Sequence, residues 1–214
     1  MQEEGSTTVY CDTFLGILNC LPDGEVEFSQ EVNDDNSNSI KVKITTPDKK
    51  NKFEMRSLSE EDFPEIYTAQ NVPYFEVSSK EIKMMINQTA FAVSKKKSNV
   101  SFNGVLFEKD GDSLTFVGTD GRRMSLCSKK ILAGVSDFPP AIVDTKILNI
   151  ILKHAPEEGN IFISVVDKMI FFKFGNYEFG SVLIGGTYPD YKSVIPRNQS
   201  KSFQVEKSEL AEAL

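Results

Sequence analysis

Apolar residues recur at three- and four-residue spacing in a few short stretches. In most of the remaining chain they alternate with polar ones, which predicts isolated helices among many short strands. Residues 12–21 read as a helix carried by Phe14, Ile17, Leu18 and Leu21. Asp12 or Thr13 is its candidate cap and Pro22-Asp23-Gly24 its stop. Residues 25–31 alternate as a strand, 32–39 are too rich in Asn and Asp to be other than a loop, and 40–45 with 52–58 predict a hairpin. A connection over 59–72 contains Phe63-Pro64-Glu65-Ile66. Residues 75–77 are strand-like, and Ser78 or Ser79 caps a helix predicted to run to about Ser94. Its apolar face is Ile82, Met85, Ile86, Thr89 and Val93; Lys80, Lys83, Asn87 and Ser94 fall opposite. Strands over 103–108 and 113–117 flank a Lys109-Asp110-Gly111-Asp112 turn. A Thr119-Asp120-Gly121 turn then leads through Arg122-Arg123 into an alternating strand at Met124-Ser125-Leu126. A helix from Asp144 or Thr145 to near His154 places Ile147, Ile150 and Ile151 on one side and Lys146, Asn149 and Lys153 on the other. Strands at 161–166, 169–174 and 177–184 follow, and then Tyr188-Pro189-Asp190-Tyr191-Lys192-Ser193-Val194-Ile195-Pro196.

Parts of this pattern occur twice. Asp12-Thr13, an apolar helix, Pro22-Asp23-Gly24 and strands leading to Phe63-Pro64-Glu65-Ile66 match a later set. That set is Asp144-Thr145, an apolar helix, Pro156-Glu157-Glu158-Gly159 and strands leading to Tyr188-Pro189-Asp190-Tyr191. Phe75-Glu76-Val77-Ser78 likewise returns as Phe203-Gln204-Val205-Glu206. Phe75 and Phe203 stand 128 positions apart (203 − 75), and Pro64 and Pro189 stand 125 apart (189 − 64). The near-equal offsets imply a repeating α+β unit. The chain is expected to hold the second half of one unit over 1–72, a complete unit over 73–197 and the start of a third over 198–214. The first half-unit should then keep an unpaired sheet edge and an uncovered helix face.

Composition narrows the function. With 40% hydrophobic and 26% charged residues over 214 positions, the chain is of ordinary globular make-up. No apolar run is long enough for a membrane span, and no leader pattern opens the chain. Cys11, Cys20 and Cys127 are few and outside any metal spacing, so a cytoplasmic location and no metal are expected. The single histidine, His154, sits at a helix end, where a cation complements the dipole. There is no Walker loop, dinucleotide turn or nucleophile elbow, and no carboxylate pair placed for acid–base work. The chain therefore reads as a binding protein without cofactor rather than an enzyme.

The net charge of −7 argues against indiscriminate binding of nucleic acid. Cations nonetheless collect on the two helices of the complete unit: Lys80 and Lys83, then Lys95-Lys96-Lys97, with Lys146 and Lys153 on the second helix. Such a wall suits sequence-independent contact with phosphates.

With these residues in view, the chain resembles the bacterial DNA polymerase III beta subunits, the sliding-clamp family. The resemblance rests on Phe102-Asn103-Gly104-Val105-Leu106-Phe107-Glu108, on Val117-Gly118-Thr119-Asp120-Gly121-Arg122-Arg123-Met124-Ser125-Leu126 and on the block from Tyr188 to Pro196. It implies the DNA-clamp fold, in which repeated domains each pack two helices on antiparallel sheets, and a homodimer ring of full-length chains around duplex DNA. It also implies a processivity factor for the replicative polymerase. Family positions facing DNA map onto Lys96, Lys153, Arg197, Lys50 and Lys52, and those of the ring-closing edge strand onto Phe53 and Met55. An apolar pocket for short peptide motifs of polymerase, clamp loader and repair proteins maps onto Phe102, Thr119, Gly121, Arg122, Arg123, Met124, Pro189 and Val194. Ser193 and Arg122 depart from the family pattern at the pocket rim, where many relatives carry arginine and some histidine. The third domain normally completes that pocket. The alternative is a peptide-binding adaptor of clamp-like fold that does not encircle DNA.

Overall fold

The period-two runs become three antiparallel sheets in the structure, a computed structural model that describes residues 6–32, 40–58, 60–64, 72–96, 100–131 and 138–214. All but the first residue of the loop expected at 32–39, most of the connection at 59–72, and Lys97 lie outside the described residues. The chain divides into two compact units, residues 1–67 and 68–214.

In the first unit, α1 (Cys11–Cys20) precedes the meander β1 (Glu27–Val32), β2 (Ile40–Thr45) and β3 (Lys52–Ser57). The helix starts one residue earlier than the sequence suggests. Asp12 therefore lies inside the first turn, where its charge suits the dipole, rather than capping it. Ile44 stands between Phe28 and Phe53, and Val42 between Gln30 and Met55. Val42, Ile44 and Met55 form a small core on which Phe14, Ile17 and Leu21 pack, although no residue of α1 is fully buried. Strand alternation decides the fate of β3. Lys52, Glu54 and Arg56 are exposed, while Phe53 is half-buried and Met55 keeps only 7% of its surface. Phe53 and Met55, which match the family's ring-closing edge strand, turn their side chains toward the core of this unit. The strand β3 is an edge of this sheet, but its backbone and its outward charged residues form that edge.

The second unit is built from two βαβββ halves. The first is β4 (Phe75–Ser78), α2 (Ser79–Thr89), β5 (Gly104–Asp110), β6 (Ser113–Thr119) and β7 (Met124–Lys130). The second is β8 (Ala141–Asp144), α3 (Thr145–His154), β9 (Asn160–Val166), β10 (Met169–Phe174) and β11 (Tyr177–Val182). Each half lends its first strand to the other's sheet, so the orders are β11-β10-β9-β4 and β7-β6-β5-β8. The order α3, β9, β10, β11 repeats the order α1, β1, β2, β3 of the first unit. Two further short helices follow, α4 (Tyr191–Val194) and α5 (Lys207–Ala213).

One core joins both sheets and both long helices, with Ile82, Met85 and Ile86 of α2, Leu148 and Ile151 of α3, Phe107, Phe116, Ile163 and Phe172 at its centre. The four-residue β8 escapes the period-two pattern because it is too short to show one. Helix α3 is capped by Asp144, whose carboxylate accepts the Lys146 amide at 2.7 Å. Its buried stripe is Ile147, Leu148 and Ile151; Ile150, expected inside, is 38% exposed because it lies at the margin of that stripe. Helix α2 ends at Thr89, not near Ser94. Thr89 Oγ1 donates back to the Met85 carbonyl at 2.7 Å. The chain then tightens into a 3₁₀ turn over Ala90–Ala92. The Ser94 amide leaves the helix to bond the Phe102 carbonyl at 2.8 Å. The turn read over 109–112 contracts to Gly111-Asp112, with Gly111 at φ +54, so β5 runs on to Asp110.

Candidate functional site

Strand β5 has apolar residues on both faces, and this builds the site. The row Cys127–Phe116–Phe107–Ala141 crosses the β7-β6-β5-β8 sheet on the core side. One residue along, Val117, Leu106 and Ile142 form a row on the opposite face. Tyr191 completes a second apolar cluster there, and Met124, Ile184, Tyr188 and Ile195 pack around it.

The segment 188–196 is fastened to the sheet by its own polar groups. Tyr188 donates its hydroxyl to the Val117 carbonyl at 2.9 Å. Tyr191 donates to one carboxylate oxygen of Glu108, and Lys192 Nζ donates to the other at 3.1 Å. Asp190 caps α4 by accepting the Lys192 amide at 3.2 Å. Val194, on this four-residue helix, is left 67% exposed, and Pro189 is exposed at its entry.

The turn opposite is held by side chains at its base. Thr119 Oγ1 donates to the Arg123 carbonyl at 2.7 Å and accepts the Gly121 amide at 3.1 Å. Asp120 Oδ1 accepts the amides of Arg122 and Arg123 at 2.9 and 3.0 Å. These backbone bonds are the main reason its carboxyl lies below the ordinary range. Gly121 sits at φ +84, and a Cβ there would lie 3.4 Å from the Phe102 ring, so Phe102 lies directly behind the turn. Phe102 and Asn103 are tied to the lysine stretch as well. With its amide nitrogen turned toward them, Asn103 donates to the carbonyls of Ser94 and Lys96 at 3.1 and 2.8 Å.

Met124 thus meets the 188–195 segment on one apolar floor, and Phe102 meets Gly121 behind the rim. Arg122 and Arg123 are exposed, while Thr119 is buried as a structural member of the turn. The floor residues Leu106, Val117, Ile142, Ile184, Tyr188, Tyr191 and Ile195 are not among the sequence candidates. The signal for Leu106 is nonetheless there: Val105-Leu106-Phe107 is an uninterrupted apolar run, as a strand covered on both faces requires.

Of the basic candidates in this unit, Lys80, Lys95, Lys96, Lys146, Lys153 and Arg197 are exposed. Lys83 is different. Its side chain is only 13% exposed and its ammonium donates to Glu157, so its charge is already engaged. In the first unit, Lys50 and Lys52 are exposed beside Asp48 and Glu54 at 3.6 and 3.2 Å. Among the described residues no group of three or more potential ligands is placed for a metal, and no helix is long and apolar enough to cross a membrane.

Burial pushes the Tyr188 hydroxyl up to about 12, with the Thr119 backbone opposing. Burial followed by the Glu108 carboxylate raises Tyr191 further in the same direction. A raised tyrosine contributes stability that is complete below its ordinary value near 10 and is lost as pH climbs through the folded one. Alkaline titration followed by tyrosinate absorbance should therefore show Tyr188 and Tyr191 ionising only together with loss of structure in this unit. Ionisation of all six tyrosines near pH 10 without unfolding would contradict the fastening of Tyr188 to Val117 and of Tyr191 to Glu108.

A family model described as "DNA polymerase III beta subunit, central domain" matches residues 76–190. The chain is 37% identical over 213 residues to the beta sliding clamp of Treponema pallidum, covering 99% of this chain and 55% of that protein. It is 39% identical over 131 residues to that of Borreliella burgdorferi, covering 61% of this chain and 34% of that protein. The chain spans about half the length of the first of these relatives, and its match to the second covers about a third of that protein. Among solved structures, DNA polymerase III subunit beta from Pseudomonas aeruginosa superposes with a TM-score of 0.73 at 28% identity, over 91% of this chain and 52% of that one. A sliding clamp from the same organism, bound to griselimycin, gives 0.72 at 27%, over 92% and 52%.

Proposed function

The chain belongs to the DNA polymerase III beta subunit family, and from that premise we propose that it supplies part of a DNA sliding clamp, an accessory binding subunit rather than a catalyst. Residues 73–197 form the middle clamp domain, 1–72 the second half of the first and 198–214 the start of the third. The assembled full-length ring encircles duplex DNA and confers processivity on the replicative polymerase by topology, which is compatible with a net negative charge. In the second unit Lys80, Lys95, Lys96, Lys146, Lys153 and Arg197 are the residues that meet phosphates, and in the first unit Lys50 and Lys52. Lys83 contributes less because Glu157 engages it, and Lys97, the remaining candidate, lies outside the described residues. Edge strand β3, which carries Phe53 and Met55, takes part in ring closure.

The observation that carries this reading is the half-buried Met124, which opens β7 after the Thr119–Arg123 turn and packs with Tyr188 and Ile195 over the buried cluster of Val117, Leu106 and Ile142. An apolar side chain of this kind, seated on a rigid cluster beside the exposed Arg123, suits a short apolar peptide segment from polymerase, loader or repair partners. Met124 provides an adaptable surface, as sites with several partners use.

In the full-length protein, a labelled docking peptide from a replicative polymerase should bind at this site and be displaced by griselimycin. Met124→Asp should weaken it at least about tenfold, because it sets a carboxylate on apolar surface that the peptide must desolvate. Fluorescence anisotropy measures both. The same protein should remain on closed circular DNA and run off after linearisation. Peptide binding without retention on circles would leave the adaptor alternative and remove the clamp.

A further inference from the structure

The 3₁₀ turn after α2 carries a phenylalanine that the core does not use. Its neighbours Ala90 and Val93 pack on the main core of the unit, while Phe91 is 60% exposed. Arg123, the cation at the rim of the docking site, lies across it. The guanidinium carbon is 5.7 Å from the ring centroid, within the range of a cation–π contact. Nη2 donates to the Phe91 carbonyl at 3.0 Å, and Nε donates to Asp120 Oδ2 at 3.2 Å.

An arginine side chain in solution samples many rotamers, and a ligand must pay for restricting them. Here one face rests on a ring and two of the five N–H donors are already placed, which leaves three donors of a fixed planar fork. Asp120 bonds the fork only through Nε, and its other oxygen is taken up by the amides of residues 122 and 123. The Arg123 side chain remains 60% exposed, so the fork is open to a partner. The group that matches a planar, partly free guanidinium is a carboxylate.

We propose that Phe91 is a positioning residue of the docking site: it holds Arg123 toward a carboxylate flanking the apolar core of an incoming peptide. The inference rests on the docking-site reading above and adds to it a specificity for acidic flanks. Phe91 belongs to the extension of α2 and not to any segment of the turn or of 188–196, so it widens the site onto another element.

The test uses the full-length protein and one labelled docking peptide, synthesised with glutamate or glutamine at each position flanking its apolar core. At one flanking position the wild type should bind the glutamate version about two- to fivefold more tightly, the upper part of the range for an exposed ion pair. Phe91→Leu should lower that preference to near one while leaving the glutamine peptide unchanged, and Phe91→Tyr should restore it. In an Arg123→Ala background Phe91→Leu should have no further effect. A wild-type preference that Phe91→Leu leaves intact would overturn the role of Phe91 alone. Equal loss for both peptides, independent of Arg123, would make Phe91 merely structural. Failure of the wild type to bind either peptide would remove the docking site and this inference with it.

Discussion

Gly118→Ala should destabilise the second unit by about 3 kcal/mol or more and should also abolish docking at the turn that follows it. Gly118 lies in β6 directly under the end of α2. A Cβ there would collide with the Thr89 carbonyl oxygen, with the Thr89 carbonyl carbon at 3.0 Å and Val93 at 3.4 Å. The obstacle is backbone rather than the flexible tip of a side chain. Thr89 in turn is held by its bond to Met85, and the neighbouring β7 is tied to α2 through Ser125, whose hydroxyl donates to the Gln88 carbonyl. Helix and strand must therefore separate, and the separation moves Thr119, whose hydroxyl organises the turn. Urea unfolding followed by tyrosine fluorescence, with peptide binding in parallel, reports both effects; the chain has no tryptophan to complicate the signal. Gly185→Ala, in the same unit with nothing within 4 Å of its Cβ, is the matched control and should change little. A Gly118→Ala protein as stable as that control would refute the close packing.

Phe116→Ala should cost about 3–5 kcal/mol, a substantial part of what holds a domain of this size together. Phe116 is fully buried and stacks on Phe107 at 3.6 Å between centroids, inclined by 18°, in the row that runs across all four strands of the sheet. Removing the ring leaves a cavity that the rigid row cannot close. The urea midpoint should fall with an unchanged slope. Leu126, on the other face of the same sheet, is 41% exposed. Its replacement, Leu126→Ala, should cost under about 1 kcal/mol. Similar losses for the two variants would mean that the faces have been assigned the wrong way round.

Local signals made much of the architecture legible. The hairpin of β2 and β3, the helix α3 with its Asp144 cap and the β9-β10-β11 meander follow from period, capping and turn residues, all of which act over a few positions. The repeat needed only the recurrence of such signals at a common offset. Legibility failed where a distant partner decided the outcome. The end of α2 depends on the Phe102 carbonyl drawing the Ser94 amide away, and on Gly118 fitting beneath Thr89. The strand β8 exists because β5 offers it a ladder, residue for residue from Gly104–Asp144 to Phe107–Ala141.

The candidate site divides in the same way. Thr119, Asp120 and Gly121 announce a turn by themselves, because the bonds that form it join residues within four positions of one another. The motif blocks likewise carry the family resemblance without help from the structure. The floor of the site was hidden. Leu106, Val117 and Ile142 become neighbours only through the register of three strands, and Tyr188 and Tyr191 reach that sheet by bonds spanning 71 and 83 positions. Sequence alone settled the turns and the longer periodic helices and strands, because those preferences act within a few residues. Tertiary structure alone decided that Met124 shares a surface with the 188–195 segment, that Glu157 engages Lys83 and that Phe91 lies under Arg123. Each of these depends on contacts between elements whose spacing only the packed core sets.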